Sequence, residues 1–226
     1  MTDQPLARTN ATIRLSPCRN RDKADILATR LPEKPKGAEL YRVRTAAAGA
    51  GLLRFLKNRG RDARLLLSNQ SEPEQARTEA WYAAADQPAL VVAEPLPFPS
   101  ARNDVRRAFC MNLPPDLRSM HADIARVGTD GLDSALEVFA SRLDYDHRLA
   151  VLQRRFTDGT LAKKIAALGD CVAFVENDGC ARVFLAKRLF NRAVGVCGNC
   201  GWCLGKRSGF LPAENAKTVG KKQHPR

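Results

Sequence analysis

Residues 37–68, GAELYRVRTAAAGAGLLRFLKNRGRDARLLLS, contain the pattern that decides the fold class. The segment GAELYRV is typical of a strand, whereas AAAGAGLLRFLKNRG has helical character and ends on Gly60, a residue type common at helix C-termini. DARLLLS is then typical of a second strand. This stretch therefore predicts a strand, a helix and a strand joined by short turns.

The same alternation continues to residue 141. Ser71 is a candidate N-cap for the helix EPEQARTEAWYAAA, which has acidic residues in its first turn and leads into the apolar run ALVVAEPL. VRRAFCMNL and SALEVFAS are predicted strands on either side of the predicted helix LRSMHADIARVG, and TIRLS predicts a short edge strand. Strands alternating with helices predict an α/β fold, with a mainly parallel sheet covered by helices on both faces.

Strand patterns give way to helical ones from about Leu143 onward, beginning with DYDHRLAVLQRRF. We therefore predict an α/β domain over residues 11–142, followed by a small helical subdomain over residues 143–208. The polar segment 1–10 and the basic tail 209–226 are predicted to be flexible.

Composition and charge restrict the class of function. Of the 226 residues, 44% are hydrophobic and 27% are charged, which is the balance of a folded globular chain. The sequence has no apolar run long enough to span a membrane and no charged-then-apolar leader, so we expect a cytoplasmic protein without a membrane partner. Lysine and arginine number 37 against 24 acidic residues, and this net charge of +13 favours a polyanion partner such as DNA through counterion release.

Three of the seven cysteines stand close together in CGNCGWC, residues 197–203. Small residues between Cys197, Cys200 and Cys203 let the chain curl so that their thiolates converge on one ion. An open iron–sulfur cluster needs only these three ligands, whereas a closed zinc site needs a fourth. The candidates for the fourth ligand are Cys180, Cys171, Cys110, Cys18 and His121. Four thiolates would favour one structural Zn²⁺ ion that holds a small module together.

The segment CVAFVENDGCARVFLA, residues 171–186, allows two local structures. Its Asp-Gly pair is typical of a β-hairpin turn, which would place Cys180 at the tip of the hairpin. Alternatively, Asn177 or Asp178 caps a helix that runs through Cys180 to Leu189. In that helix Cys180 lies in the first turn and is free to meet the other cysteines.

The span CARVFLAKRLFNRAVGVCGNCGWCL, residues 180–204, resembles the zinc-binding segment of RecQ-type DNA helicases, in which a cysteine that begins a helix is followed at the same spacing by CGNCxxCL. The apolar stretch VAFVENDGC before it is also similar to that family, which favours the helix over the hairpin. The resemblance implies that one structural zinc ion is bound by four ligands: Cys180, Cys197, Cys200 and Cys203.

A weaker resemblance covers the α/β part and implies a degenerate second RecA-like helicase domain. DVRRAFCMNLPPDLRSMHADIARVGTDGLDSALEVF is similar to the passage around helicase motif VI, with Arg126 and Gly128 in place but Thr129 instead of the second arginine. In VAEPLPFPSARNDVR, prolines replace the threonine and glycines of motif V. Residues 37–70 resemble helicase motif IV, with Tyr41 and Arg44 in the places expected for that motif. Arg126 is predicted either to contact a phosphate or partner domain, or to lie beside a carboxylate at a helix end.

No GxxxxGK[ST] loop occurs in the sequence, so the resemblance implies the rear part of a RecQ-type helicase without the domain that binds ATP. We expect a DNA-binding accessory or regulatory factor in DNA replication, recombination or repair, with no catalytic residue of its own. Two alternatives stay open. One is the rear subunit of a split 3′-5′ DNA helicase that a separate motor domain completes, and the other is a zinc-stabilised module that binds a replication or repair protein.

Basic residues flank the CGNCGWC segment in the sequence, before Cys197 and after Cys203. We predict that this patch contacts the DNA backbone through five side chains: Lys187, Arg188, Arg192, Lys206 and Arg207. Trp202, between two of the cysteines, would either pack on the zinc module or stack on a base.

Overall fold

The computed structural model describes Leu6, residues 8–206 and residues 209–211. Within these residues, six strands form one sheet in the order β1-β6-β5-β2-β4-β3, and every neighbouring pair is parallel. The strands are β1 (Ala11–Pro17), β2 (Ala38–Val43), β3 (Ala63–Leu66), β4 (Ala89–Ala93), β5 (Val105–Cys110) and β6 (Ser134–Ala140). The predicted parallel sheet is confirmed.

Seven α-helices are described with these strands. They are α1 (Lys23–Arg30), α2 (Ala46–Lys57), α3 (Glu72–Ala84), α4 (Leu117–Ile124), α5 (Arg142–Arg155), α6 (Gly159–Val175) and α7 (Ala181–Phe190). The predicted cap of α3 is confirmed, because Ser71 and Glu74 form a reciprocal capping box at its first turn. Helix α1 has no counterpart in the sequence-based prediction.

Alternate strand residues face two separate apolar cores, which is why the central strands are apolar at nearly every position. In β2, Leu40 belongs to the core covered by α3, α4, α6 and α7, whereas Tyr41 belongs to the core covered by α1 and α2. All residues of β2 and β4 are buried, as expected for strands covered on both faces. The predicted helices on both faces of the sheet are therefore confirmed.

The helical segment after residue 142 packs on the first of these cores. Phe174 from α6 and Leu185 from α7 are buried in the same apolar cluster as Leu136 and Val138 of β6. The guanidinium of Arg182, only 1% exposed, donates to the carbonyls of Leu6 (2.9 Å) and Ala11. One continuous core thus joins the sheet to α6 and α7, and the division into two domains near residue 143 stays a prediction.

The described part of the N-terminal segment is tied to the sheet. Arg8 donates to the carbonyls of Ile124 and Ala125, both at 3.1 Å, and Asn10 donates to the carbonyl of Gly128 at 2.8 Å. Most of the two segments predicted to be flexible, residues 1–5, 7 and 212–226, lies outside the described residues. Among the described residues, no helix combines the length and apolar character needed to cross a membrane.

A buried ion pair holds the loop that follows β4. Arg42 at the end of β2 makes two hydrogen bonds, of 2.7 and 2.5 Å, to the carboxylate of Asp123 on α4. The same guanidinium donates to the carbonyl of Leu96 at 2.7 Å and lies 4.3 Å above the centroid of the Phe98 ring. One cation therefore connects a central strand, a helix and the proline-rich loop at the carboxyl ends of the strands.

Candidate metal centre

Cys180 lies at the amino end of α7, close to the predicted position. The segment predicted as either hairpin or helix is helical on both sides of a short connection, because α6 ends at Val175 and α7 begins at Ala181. Cys180 itself is the N-cap, so the helix begins two or three residues later than the predicted caps Asn177 and Asp178. The N-cap position leaves the Cys180 thiol outside the helical turns, where it can meet the other cysteines.

The loop CGNCGWC supplies the other three thiols. Gly198 has a φ of +67°, a left-handed conformation that glycine adopts easily and that reverses the chain between Cys197 and Cys200. Backbone amides of the loop and of α7 point at the sulfurs: the Cys197 N–H lies 3.4 Å from Sγ of Cys180, and the Ala181 N–H lies 3.4 Å from Sγ of Cys200. Donors in these positions stabilise thiolates, the form that binds a metal.

The four sulfur atoms form a compact cluster with the dimensions of a tetrahedral site. All four Sγ atoms lie within 4.8 Å of one another. The pairs Cys180–Cys197 and Cys200–Cys203 are 3.5 Å apart, and the pairs Cys197–Cys203 and Cys180–Cys200 are 3.9 Å apart. A zinc ion about 2.3 Å from each sulfur would place tetrahedral ligands roughly 3.8 Å apart. The four cysteines could therefore hold one metal ion such as zinc.

Burial and hydrogen bonding affect the thiols of the cluster in opposite ways. Burial raises the pKa of Cys200 to about 12, and this residue is fully buried. Burial also opposes ionisation of Cys180, but backbone amides of Val183 and Cys197 donate to its sulfur and lower its pKa to about 7. Cys180 consequently forms a thiolate more readily than Cys200.

The other candidate ligands lie elsewhere. Cys18, Cys110 and Cys171 are buried thiols outside the cluster, and burial raises the pKa of Cys18 to about 11 and that of Cys171 to about 12. His121 on α4 packs edge-on against the ring of Phe190, with centroids 5.2 Å apart. Among the described residues, the four cysteines are the one group of His, Cys, Asp and Glu side chains with metal-binding geometry.

The cysteine loop also contacts the edge strand β1 of the sheet. The backbone N–H of Gly201 donates to the carbonyl of Ile13 in the edge strand β1 at 2.8 Å. The Asn199 side chain accepts a hydrogen bond from Thr12 at 2.9 Å and donates to the carbonyl of Thr9. An unpaired edge strand invites association with other chains, and the loop satisfies part of this edge. Nothing in the local sequence pattern indicated this contact.

Three of the five predicted DNA-contacting residues line two neighbouring hollows. Lys187 and Arg188 line a hollow of about 640 Å³ beside Cys180, whereas Lys206 lines another beside Trp202. Arg188 is already paired with Asp170 at 2.5 Å, and Arg192 is exposed just after α7. Arg207 lies outside the described residues. Trp202 is 41% exposed, and its indole N–H lies 3.4 Å from the carboxylate of Asp178.

Arg126 and Gly128 are the two residues assigned to the degenerate motif VI. Arg126 lies just after α4 and is half-buried. Within the described part of the chain, no carboxylate forms an ion pair with Arg126. Gly128 is buried with a φ of +60°, and its N–H donates to the carbonyl of Val105 at 3.0 Å. A Cβ atom there would lie 2.1 Å from Oγ of Ser134 and 2.7 Å from Nδ2 of Asn10. Gly128 is thus required by packing between the strands.

We expect Gly128→Ala to lower the free energy of unfolding by roughly 2–4 kcal/mol, because it combines a left-handed alanine with a steric clash. Gly60→Ala is the matched control, since Gly60 has a φ of +71° but nothing within 4 Å of an added Cβ. The control should lose only about 1–2 kcal/mol. Urea denaturation of both variants measures the difference, and equal losses would contradict the packing role of Gly128.

Solved structures with the same fold come from helicases. The C-terminal domain of the DEAD-box protein Dbp5 matches with a TM-score of 0.54 and 17% identity, covering 70% of this chain and 97% of that domain. A variant of the S. cerevisiae Dbp5 C-terminal domain, bound to a variant of Gle1 and IP6, matches with a TM-score of 0.52 and 16% identity, covering 70% of this chain and 98% of that one. No protein-family model and no curated protein sequence matches this chain.

These likenesses show that the chain has the fold of the C-terminal, second RecA-like domain of helicases. The predicted RecA-like α/β fold is therefore confirmed. To this fold the chain adds a four-cysteine cluster that packs against the edge strand of the sheet.

Proposed function

We propose that this chain is a RecQ-like, zinc-stabilised protein that binds DNA and acts as an accessory or regulatory factor in replication, recombination or repair. The observation that carries the proposal is the convergence of Cys180, Cys197, Cys200 and Cys203, which have the spacing of the RecQ zinc segment. Four thiolates favour zinc, and a closed four-ligand site is structural rather than catalytic. The zinc would hold the helix α7 and the cysteine loop in one arrangement.

Charge supports nucleic acid as the partner. The net charge of +13 favours a polyanion, and the exposed Lys187 and Lys206 line the hollows beside Cys180 and Trp202. Trp202 is partly exposed in the same hollow as Lys206 and offers a ring on which a base of single-stranded DNA can stack. The cluster would therefore position two cations and one aromatic ring for contacts with a strand.

The proposed function needs no ATP hydrolysis by this chain. Its sequence lacks the phosphate-binding loop, and the loop equivalent to motif V is held by side chains of the fold. Arg148 donates to the carboxylate of Glu94 at 2.8 Å, while Arg42 donates to the carbonyl of Leu96 at 2.7 Å. These contacts hold the loop after β4 in one conformation. They support a structural role for this loop, whereas a motor would need a loop that changes conformation when a nucleotide binds.

A protein partner is the second candidate. Apolar side chains are exposed in and beside the cysteine loop: Val196 is 71% exposed, Leu204 is 50% exposed and Trp202 is 41% exposed. The Dbp5 C-terminal domain, whose fold this chain shares, has been solved bound to Gle1. If the DNA-binding proposal fails, this apolar surface is the one to test for a replication or repair protein, including a separate helicase motor domain.

The test is fluorescence anisotropy with labelled single-stranded DNA across a salt series, on protein of known zinc content. We expect Lys187→Gln combined with Lys206→Gln to reduce the slope of log affinity against log salt by about 1.4, since each phosphate contact on a single strand contributes about 0.7. Lys57→Gln, at the end of α2 on the opposite face of the sheet, removes an exposed lysine there and should leave the slope unchanged.

ATP hydrolysis is measured on the same samples, with and without DNA, and we expect none. Absence of salt-dependent binding by folded, zinc-loaded protein would contradict the DNA proposal and favour the protein-binding module. Hydrolysis by the chain alone would contradict the motorless function.

A further inference from the structure

The four thiols of the cysteine cluster are arranged as two close pairs that share no member. Sγ of Cys180 lies 3.5 Å from Sγ of Cys197, and Sγ of Cys200 lies 3.5 Å from Sγ of Cys203. The contacts between the pairs, Cys197–Cys203 and Cys180–Cys200, are longer, at 3.9 Å. An S–S bond measures about 2.05 Å, so each close pair needs to shorten by only about 1.5 Å, a shift within the reach of side-chain rotation. The cluster can therefore form two disulfides without using any sulfur twice.

Solvent exposure differs between the two members of each close pair. Cys197 and Cys203 are partly exposed, whereas Cys180 is 4% exposed and Cys200 is fully buried. An oxidant from solvent therefore reaches Cys197 or Cys203 first, and each of these two thiols has a buried thiol beside it. An accessible cysteine next to a second one that completes a disulfide is the arrangement found at reversible oxidation sites.

The remaining cysteines lack such an arrangement. Cys18, Cys110 and Cys171 are all buried free thiols. Within the described part of the chain, none of them makes a hydrogen-bond contact with another sulfur, and Cys110 instead lies 3.6 Å from the carboxylate of Asp123. Oxidation that depends on access and on a neighbouring thiol should consequently be confined to the cluster.

We propose that the cysteine cluster is an oxidation site, at which hydrogen peroxide joins Cys180 to Cys197 and Cys200 to Cys203 and releases the proposed zinc ion. The observations that carry the inference are the two 3.5 Å sulfur pairs and the single exposed member of each pair. The inference rests on the zinc site of the proposed function, and the pairing of the cysteines does not depend on DNA binding.

The reaction balances with one peroxide for each disulfide. The Cys197 sulfur attacks the O–O bond and takes up one oxygen as a sulfenic acid, while the other oxygen leaves as water. The Cys180 sulfur then attacks the Cys197 sulfur; the S–S bond forms, the S–O bond breaks, and the second oxygen leaves as water. The two sulfurs lose two electrons to the peroxide, and the protons come from the thiols or, for metal-bound sulfurs, from solvent. Cys203 and Cys200 follow the same steps with a second peroxide.

Oxidation would change what joins α7 to the cysteine loop. A disulfide sulfur no longer carries the thiolate charge that binds zinc, so the proposed ion leaves. The ion would connect all four sulfurs, whereas two disulfides leave no bond between one pair and the other. The segment with Trp202 and Lys206 would then lose its fixed position relative to Lys187 on α7. The redox state would thus regulate the surface proposed to bind DNA.

The test is oxidation of the whole, zinc-loaded chain with hydrogen peroxide in the presence of a zinc-binding dye. We expect the chain to release its zinc ion and to form both disulfides. After the remaining thiols are blocked with N-ethylmaleimide, trypsin leaves Cys180 in the peptide 165–182 and the other three cluster cysteines in the peptide 193–206. Tandem mass spectrometry should find these two peptides joined through Cys180 and Cys197.

Cys171→Ala is the matched control, because Cys171 lies in the same tryptic peptide as Cys180 but outside the cluster. Zinc release and the link between the two peptides should be unchanged in this variant, which assigns the link to Cys180. A dominant link from Cys180 to Cys200 or Cys203 would overturn the proposal. So would peroxide-treated protein in which Cys197 becomes a sulfinic acid without forming a disulfide.

Zinc content and DNA affinity are measured before peroxide is added, which separates the two proposals. Protein that folds without zinc contradicts the zinc site itself, whereas a zinc-loaded chain that keeps its zinc after peroxide contradicts only the oxidation site. The oxidised chain should bind labelled single-stranded DNA at least about tenfold more weakly, and dithiothreitol with zinc should restore the affinity. Equal affinities of the reduced and oxidised chains would contradict regulation of the DNA surface.

Discussion

Cys200→Ser is expected to release the proposed zinc ion and destabilise the edge of the sheet that the cysteine loop contacts. Cys200 is fully buried and lies 3.5 Å from the sulfur of Cys203. Structural zinc sites contribute about 10–16 kcal/mol, so losing one of four ligands should cost about 2.5–4 kcal/mol and lower zinc affinity by roughly 10²- to 10³-fold. Zinc per chain, measured by atomic emission, and urea denaturation check this result.

The same substitution should also expose strand β1. The Gly201 N–H donates to the carbonyl of Ile13 in β1, and we expect loss of the proposed zinc ion to release this contact and leave the edge of β1 available to other chains. We therefore expect the Cys200→Ser protein to associate as its concentration rises, which light scattering would detect.

Cys18→Ser is the matched control, because Cys18 is a buried thiol outside the cluster. It should keep one zinc per chain and remain unassociated, even though a buried hydroxyl costs some stability. If Cys200→Ser retained both full zinc content and the stability of the unsubstituted chain, the assignment of the four ligands would be wrong.

Asp123→Ala is expected to lower the free energy of unfolding by about 3–5 kcal/mol, because it leaves the guanidinium of Arg42 buried without its carboxylate. Arg42 is only 6% exposed, and Asp123 accepts two of its hydrogen bonds. The loss should also loosen the loop after β4, since Arg42 holds the carbonyl of Leu96. Urea denaturation measures the first effect, and faster amide hydrogen exchange across the loop measures the second.

Asp146→Ala provides the contrasting case. Asp146 pairs with Arg142 at 3.7 Å on the surface of α5, where both side chains are more than half exposed. Exposed pairs of this kind contribute about 0.3–0.5 kcal/mol, so this variant should be nearly as stable as the unsubstituted chain. A similar loss from both aspartate substitutions would show that the burial of Arg42 and Asp123 has no energetic consequence.

The α/β alternation could be predicted because strand and helix patterns are local. The strands β2 and β4 are apolar throughout because they are buried on both faces, and α3 carries a capping signal at Ser71. Helix α1 was missed because a lysine stands at its buried start. The burial of Lys23 is possible only because Asp144 pairs with it, and that carboxylate follows 121 residues later in the sequence.

The candidate metal site could be predicted in part, because three of its four cysteines are neighbours in the sequence. Three of its cysteines lie within seven residues, so their spacing alone indicates a shared ion. The fourth was open among several candidates until the resemblance to RecQ helicases favoured Cys180. Cys180 is the N-cap of α7 and does not lie inside the helix. This position depends on backbone geometry, which the hairpin-like Asn-Asp-Gly segment does not reveal.

The sequence by itself determined the order of the elements, the excess of positive charge and the spacing of the cysteines, because each of these depends on neighbouring residues. The tertiary structure alone decided which distant groups meet: the cysteine loop on β1, Arg42 with Asp123, and Lys23 with Asp144. These contacts depend on the strand order, since β2 pairs with β5 rather than with β3. Local periodicity contains no information about that order, and packing of the two apolar cores selects it.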